Sequence, residues 1–148
     1  MIERLKDLSF YVVLGYGLAW ASFWLQSPFL LKFLSENLIV VLVALTAINT
    51  TTSSVVMTKL REISDRNGVD FSRSVRALRN SVLEQIWHLM IALALSILYG
   101  SARLKGLVPF PDVTIGGLLS AVFVASMDNL YDTSQSIFVL LRHEVSKS

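Results

Sequence analysis

The sequence predicts an all-α, polytopic membrane protein. Four transmembrane helices form two tandem repeated helical hairpins, and long second and third helices extend into the cytoplasm. Three observations predict it. Of 148 residues, 53% are hydrophobic and 16% charged, against about 25% charged in an ordinary soluble domain. The apolar residues gather into four runs of membrane-spanning length. Read against itself at a shift of 81 residues, the chain gives 14 identities in 67 ungapped pairs, among them Pro28-Phe29 with Pro109-Phe110, Thr52-Ser53 with Thr133-Ser134, and Leu60-Arg61 with Leu141-Arg142. Each of these dipeptides falls at the same place in its hairpin, as two copies related by an axis along the membrane normal require.

The first run, Leu8 to Leu25, has no charged side chain and is closed by Gln26-Ser27-Pro28. Its 18 residues cover about 27 Å, one hydrocarbon core. Arg4 and Lys6 before it and Ala19-Trp20-Ala21 within it also have the form of a signal peptide. The length of the run and its aromatic content favour a retained helix spanning about 8–26. The second span covers about 36–58. Beyond it, Val56, Leu60 and Ile63 continue the helical spacing among charged neighbours, up to the turn signal Asn67-Gly68. Asp70 stands where an N-cap belongs. Phe71, Val75, Leu78, Val82, Ile86 and Leu89 then follow as one stripe into a third span at about 86–104. The fourth span covers about 114–141.

The resulting organisation is a first transmembrane hairpin in residues 1–62, a cytoplasmic helical hairpin in 59–85 with its turn at 67–68, and a second transmembrane hairpin in 84–148. Lys and Arg set the orientation. Ten of the thirteen lie at the N-terminus, in the connection between spans two and three, and at the C-terminus; Lys32, Arg103 and Lys105 lie opposite. Both termini and the central connection are therefore expected in the cytoplasm, with the protein in a bacterial inner (plasma) membrane.

The polar residues inside the spans carry the functional expectation. Thr46, Asn49 and Ser53 form one helical stripe of the second span, and Thr50, Ser54 and Thr58 the neighbouring one. Asp128 and Asp132 are spaced i, i+4 in the fourth span, followed by Gln135. Counted back from Arg142, they lie about 21 Å and 15 Å above the basic boundary, where an ionisable group costs at least about 2.5 kcal/mol unless it pairs or faces water. His88, nine residues from Arg79 on the antiparallel third span, reaches a similar depth to Asp132 and is its candidate intramembrane partner. The alternative is an interfacial His beside Trp87 that marks the membrane edge. Small hydroxyl residues also serve plain helix packing, and a buried Asp can serve a structural hydrogen bond.

Arg73, Arg76 and Arg79 recur every three residues on the cytoplasmic hairpin. They serve positive-inside topology and headgroup contact, or a cytosolic anion or partner site, for a nucleotide, oligonucleotide or soluble protein. No Gly-rich phosphate loop accompanies them; Gly15, Gly17, Gly116 and Gly117 lie in or beside spans, where packing is the expected role. No cysteine is present, and His88 and His143 are the only histidines. That excludes a thiol nucleophile and Cys-ligated metals, and the sequence carries no enzyme signature, cofactor motif or metal site. A single 148-residue bundle is too small to enclose a path alone. The expectation is a homo-oligomer, four subunits being the working number, forming a cation-preferring channel or pore gated by a cytosolic ligand or partner. Thr46, Asn49, Ser53, Asp128, Asp132 and Gln135 would line it. A bacterial defence effector fits this architecture by class alone. The alternatives are a non-conducting membrane adaptor that docks a soluble partner through its stalk, and a proton-coupled carrier using His88 and Asp132.

Overall fold

In the computed structural model, backbone is described for residues 2–68, 70–101 and 110–145, and side chains for 6–66, 68, 70–101 and 110–135. Four helices hold almost all of these residues, and no strand occurs among them: α1 (Ile2–Trp24), α2 (Phe29–Asn67), α3 (Ser72–Gly100) and α4 (Pro111–Val145). The connection around Arg103 and Lys105 and the side chains of Arg4, Arg142, His143 and Lys147 lie outside the described residues. Helices α2, α3 and α4 are long and apolar enough to cross a membrane, over Phe29–Arg66, Ser72–Gly100 and Pro111–Gln135. Helix α1 is not among them, because it ends at Trp24 and its charge-free stretch begins only after Asp7, which leaves it short of a full apolar span.

The first hairpin turns more tightly than its sequence suggests. Helix α1 ends when Gln26 enters the left-handed region at φ 52°, which lets Ser27 N donate to Ser22 O at 3.0 Å while Ser22 Oγ donates to Ser27 O at 2.7 Å. Helix α2 then begins at once rather than near residue 36. Pro28, whose φ is fixed near the helical value and whose missing N–H is not needed there, leads directly into Phe29, and Lys32 N donates to Pro28 O.

At the other end, α2 runs on to the Asn67-Gly68 turn. Gly68 stands at φ 65° and donates its N–H to Ser64 O at 2.8 Å, a left-handed C-cap. The cap residue before α3 is Phe71, not Asp70. Asp70 acts one position earlier, accepting the Ser72 N–H at 2.8 Å and the Ser72 hydroxyl at 3.2 Å. At about 1.5 Å per residue, the 39-residue α2 is about 58 Å long, well beyond one hydrocarbon core.

The inward stripe of α2 explains the packing. Leu34, Leu38, Leu42, Leu45, Asn49, Ser53, Val56 and Leu60 are all buried, at steps of 4, 4, 3, 4, 4, 3 and 4. The first four pack with Ala92 of α3 and Ile115, Leu119 and Val122 of α4; the last two pack with Leu78 of α3. Between these two apolar cores lies one polar layer. Helix α4 packs against all three other helices, α1 rests almost wholly on α4, and α1 and α2 barely touch. Of the positions paired by the 81-residue shift, Leu34 with Ile115, Leu38 with Leu119 and Leu45 with Ser126 are buried in both copies. The two hairpins pack differently, since α3 and α4 lie together where α1 and α2 do not.

Candidate functional site

Helix α1 is seated on α4 by small residues. A Cβ added to Gly15 would overlap the Gly117 carbonyl oxygen and lie 2.5 Å from Ala121 N, so the two backbones are in direct contact there. Buried Ala19 extends this face outward, and the Tyr16 ring covers Gly117. Such small-residue seams let helices approach closely where lipid supplies no hydrophobic drive. Toward the α1 N-terminus the seam ends in a polar clasp, Tyr11 Oη donating to Asp128 Oδ2 at 2.5 Å. The expected packing role of the glycines holds for Gly15, Gly116 and Gly117, whereas nothing lies within 4 Å of a Cβ on Gly17.

Because α1 and α3 both lean on α4 and hardly meet each other, a cleft is left between them. It encloses about 540 Å³. Asp7 of α1, Glu84 of α3, and Asp128 and Asp132 of α4 line it together with His88, and neither Lys nor Arg is among its described lining residues. The remaining wall is mostly aliphatic, from Leu8, Val12, Ile91, Leu95, Leu118 and Val122. His88 Nδ1 is buried and has no hydrogen-bond partner, so His88 and Asp132 share the cleft without being joined through that nitrogen. Among the described residues, no group of His, Asp and Glu side chains is arranged to hold a metal ion.

The residues expected along one path fall into two places. Asn49 and Ser53 are fully buried between α2, α3 and α4. Asn49 Nδ2 donates to Ser81 Oγ at 3.2 Å, and Asn129 Nδ2 donates to Ser81 O at 2.8 Å and to Gln85 Oε1 at 3.2 Å. Ser81 Oγ meets Asn129 Oδ1 at 2.5 Å and Thr133 Oγ1 at 2.7 Å. Thr46, half-buried one turn earlier, donates to the Leu42 carbonyl at 2.7 Å. Asp128 and Asp132 instead face the α1 side of α4, and exposed Gln135 donates to Tyr131 Oη at 2.6 Å. Arg73, Arg76 and Arg79 are all exposed on the stalk and enter no ion pair among the described residues.

Sequence reasoning missed Ser81 and Gln85, and it missed that Asp7, Tyr11 and Glu84 join the aspartates. A signal for the first pair was present. Ser81 and Gln85 are polar at i, i+4 and, on an antiparallel partner, stand level with Asn49. The acidic partners come from three helices, which no spacing within one helix reveals. Compared with known protein families, curated proteins and solved structures, the chain gives no match.

Proposed function

We propose that the protein is a non-enzymatic, membrane-embedded homo-oligomer that attracts and conducts small cations, with the acidic cleft as the cytoplasmic mouth of its path. Both termini lie in the cytoplasm by the Lys/Arg bias. Helix α1 enters the bilayer as a fourth span, held by its seam with α4 and turning Phe10, Val13, Trp20 and Phe23 outward.

The observation that carries this reading is the convergence of four carboxylates from three helices on one cleft, with no basic side chain among its described lining residues. Such a cleft with low-dielectric walls concentrates cations and repels anions. Depth supports the assignment. With the outer turns near Trp24, Gly100 and Asp112 as the outer rim, Asp7, Glu84 and Asp128 lie about 24–26 Å along their helices and Asp132 about 30 Å. In a hydrocarbon core of about 30 Å, all four stand at or near the inner edge, where water reaches them. Asn49 and Ser53 serve a different purpose here, locking α2 to its neighbours inside each protomer.

Flux through proteoliposomes tests the reading. The wild type should pass K⁺ in preference to Cl⁻, and Asp128→Asn with Asp132→Asn should lower that preference roughly ten-fold. An oligomer that inserts normally yet passes no ion at any applied voltage sinks it. The exposed arginine stripe favours a second reading, a non-conducting adaptor whose stalk docks an acidic soluble partner. In that case, reversing Arg73, Arg76 and Arg79 to Glu abolishes partner capture while insertion persists.

A further inference from the structure

We infer that the outward face of α2 is the seam on which a second copy of the chain packs, its own α2 running in the same direction. The inference rests on reading the protein as a homo-oligomer and goes further in naming the interface. Large side chains fill the outward faces of α1 and α3: Phe10, Val13 and Trp20 on the first, Met90, Leu93 and Ile97 on the second. Helix α2 differs. Ala44, Ala47, Thr51, Ser54 and Thr58 are all exposed, at steps of 3, 4, 3 and 4, the spacing that keeps one face turned to a neighbouring helix. Exposed Val43, Ile48 and Val55 flank this row as low walls. Ser54 Oγ and Thr58 Oγ1 donate to the Thr50 and Ser54 carbonyls of their own helix, so covering the row strands neither hydroxyl.

Two further observations identify the occupant. At the 81-residue shift, Val40, Ala44 and Ala47 pair with Ala121, Ala125 and Asp128. On α4 that face carries a helix: Gly15 of α1 sits against Ala121, Ala125 is buried, and Tyr11 donates to Asp128. On α2 the matching face is exposed. Charge then selects which helix covers it. Beyond Thr58 the same row continues with Arg61 and Asp65, one turn apart, both exposed and in no ion pair among the described residues. Two α2 helices packed in the same direction, as copies sharing one membrane orientation must be, interleave their rows. Arg61 of each copy then reaches Asp65 of the other. A row that carries its own counter-charge is complementary to itself, as a two-fold interface requires. None of the described residues lining the acidic cleft belongs to α2, so a pair joined here keeps both clefts clear of the interface.

The cysteine-free chain allows the test in membranes containing the full-length protein. Ser54→Cys and Thr58→Cys, oxidised singly with copper phenanthroline, should give disulfide-linked dimers. Asn80→Cys, exposed at a similar depth on α3, should not. Dimer from neither α2 variant, or as much from Asn80→Cys, overturns the seam. In the Ser54→Cys background, Arg61→Asp and Asp65→Arg should each cut the dimer yield roughly five-fold, because like charges then face each other. Co-expressed with different tags, these two variants should recover the yield as mixed dimers, since each supplies the charge the other lacks. No fall in the single variants, or no recovery on mixing, overturns the charge-matched seam. Linked dimers without ion flux keep the seam and remove conduction; flux without linkage along α2 removes the seam and leaves conduction standing.

Discussion

Gly15 and Gly17 are two residues apart on α1 and look interchangeable in the sequence, yet only one of them is in contact. The Gly15 Cα faces the α4 backbone so closely that a methyl group would overlap the Gly117 carbonyl, whereas a methyl on Gly17 meets nothing. Gly15→Ala must therefore push α1 off α4 or strain both helices, an overpacking cost of about 1–3 kcal/mol. Gly17→Ala removes a helix-unfavourable residue at no steric cost and should be neutral or stabilising by up to about 1 kcal/mol. Thermal unfolding in detergent micelles, followed by helical circular dichroism, compares the two. Equal effects would mean that the seam does not hold in solution. A small residue signals in sequence that close approach is allowed; which face is used depends on where the partner helix sits, and that is a long-range fact.

The stalk shows where periodicity stops reporting the interior. The stripe Phe71, Val75, Leu78, Val82, Ile86 and Leu89 predicts one inward face, but in α3 the buried positions are Leu78, Gln85 and Ala92, seven residues apart, while Ile86 is 42% exposed. In water an apolar stripe marks the core; in lipid the outer face is apolar as well, so small and polar residues mark the contact instead. The turn chemistry at Asn67-Gly68 was legible because it is local. The role of Asp70 was legible to within one residue, as helix ends usually are.

Asp70 also makes the start of α3 sensitive to acid. Its carboxylate accepts two hydrogen bonds from Ser72, which holds its pKa below the usual carboxylate value. A group with a lowered folded-state pKa contributes stability above its unfolded pKa, and that contribution is lost as pH falls through the folded value. The first turn of α3 should fray below about pH 4, seen as faster amide exchange at Ser72 and its neighbours. Asp70→Asn keeps an acceptor and should remove that acid step; an unchanged step in the variant would assign it to another group. The site is fully exposed, so the effect stays local to the turn.

Across the whole molecule, two kinds of contact divide the work. Small-residue packing holds α1 to α4, and one polar layer between two leucine-rich cores joins α2, α3 and α4. A buried polar layer adds little net stability, since hydrogen bonds between membrane helices average about 0.6 kcal/mol. Its effect is on register, because sliding any of the three helices strands amides in an apolar core. Asn129 is the hub, bonded to Ser81 and to Gln85. Gln85 Nε2 has no partner even in the intact layer, so Asn129→Leu leaves the fully buried Gln85 side chain without any bond. The expected loss is about 1–3 kcal/mol, the cost of an unsatisfied buried amide. Adding Gln85→Leu removes the orphaned group, and replacing both partners by apolar ones of similar shape is close to neutral. The double variant should therefore unfold at a higher temperature than Asn129→Leu alone, although it carries one more substitution. Simple addition of two losses would show that the two amides are not coupled. Recovery of stability accompanied by cross-links between mismatched positions of α2 and α3, which the cysteine-free chain lets introduced cysteine pairs detect, would establish that the layer specifies register rather than strength.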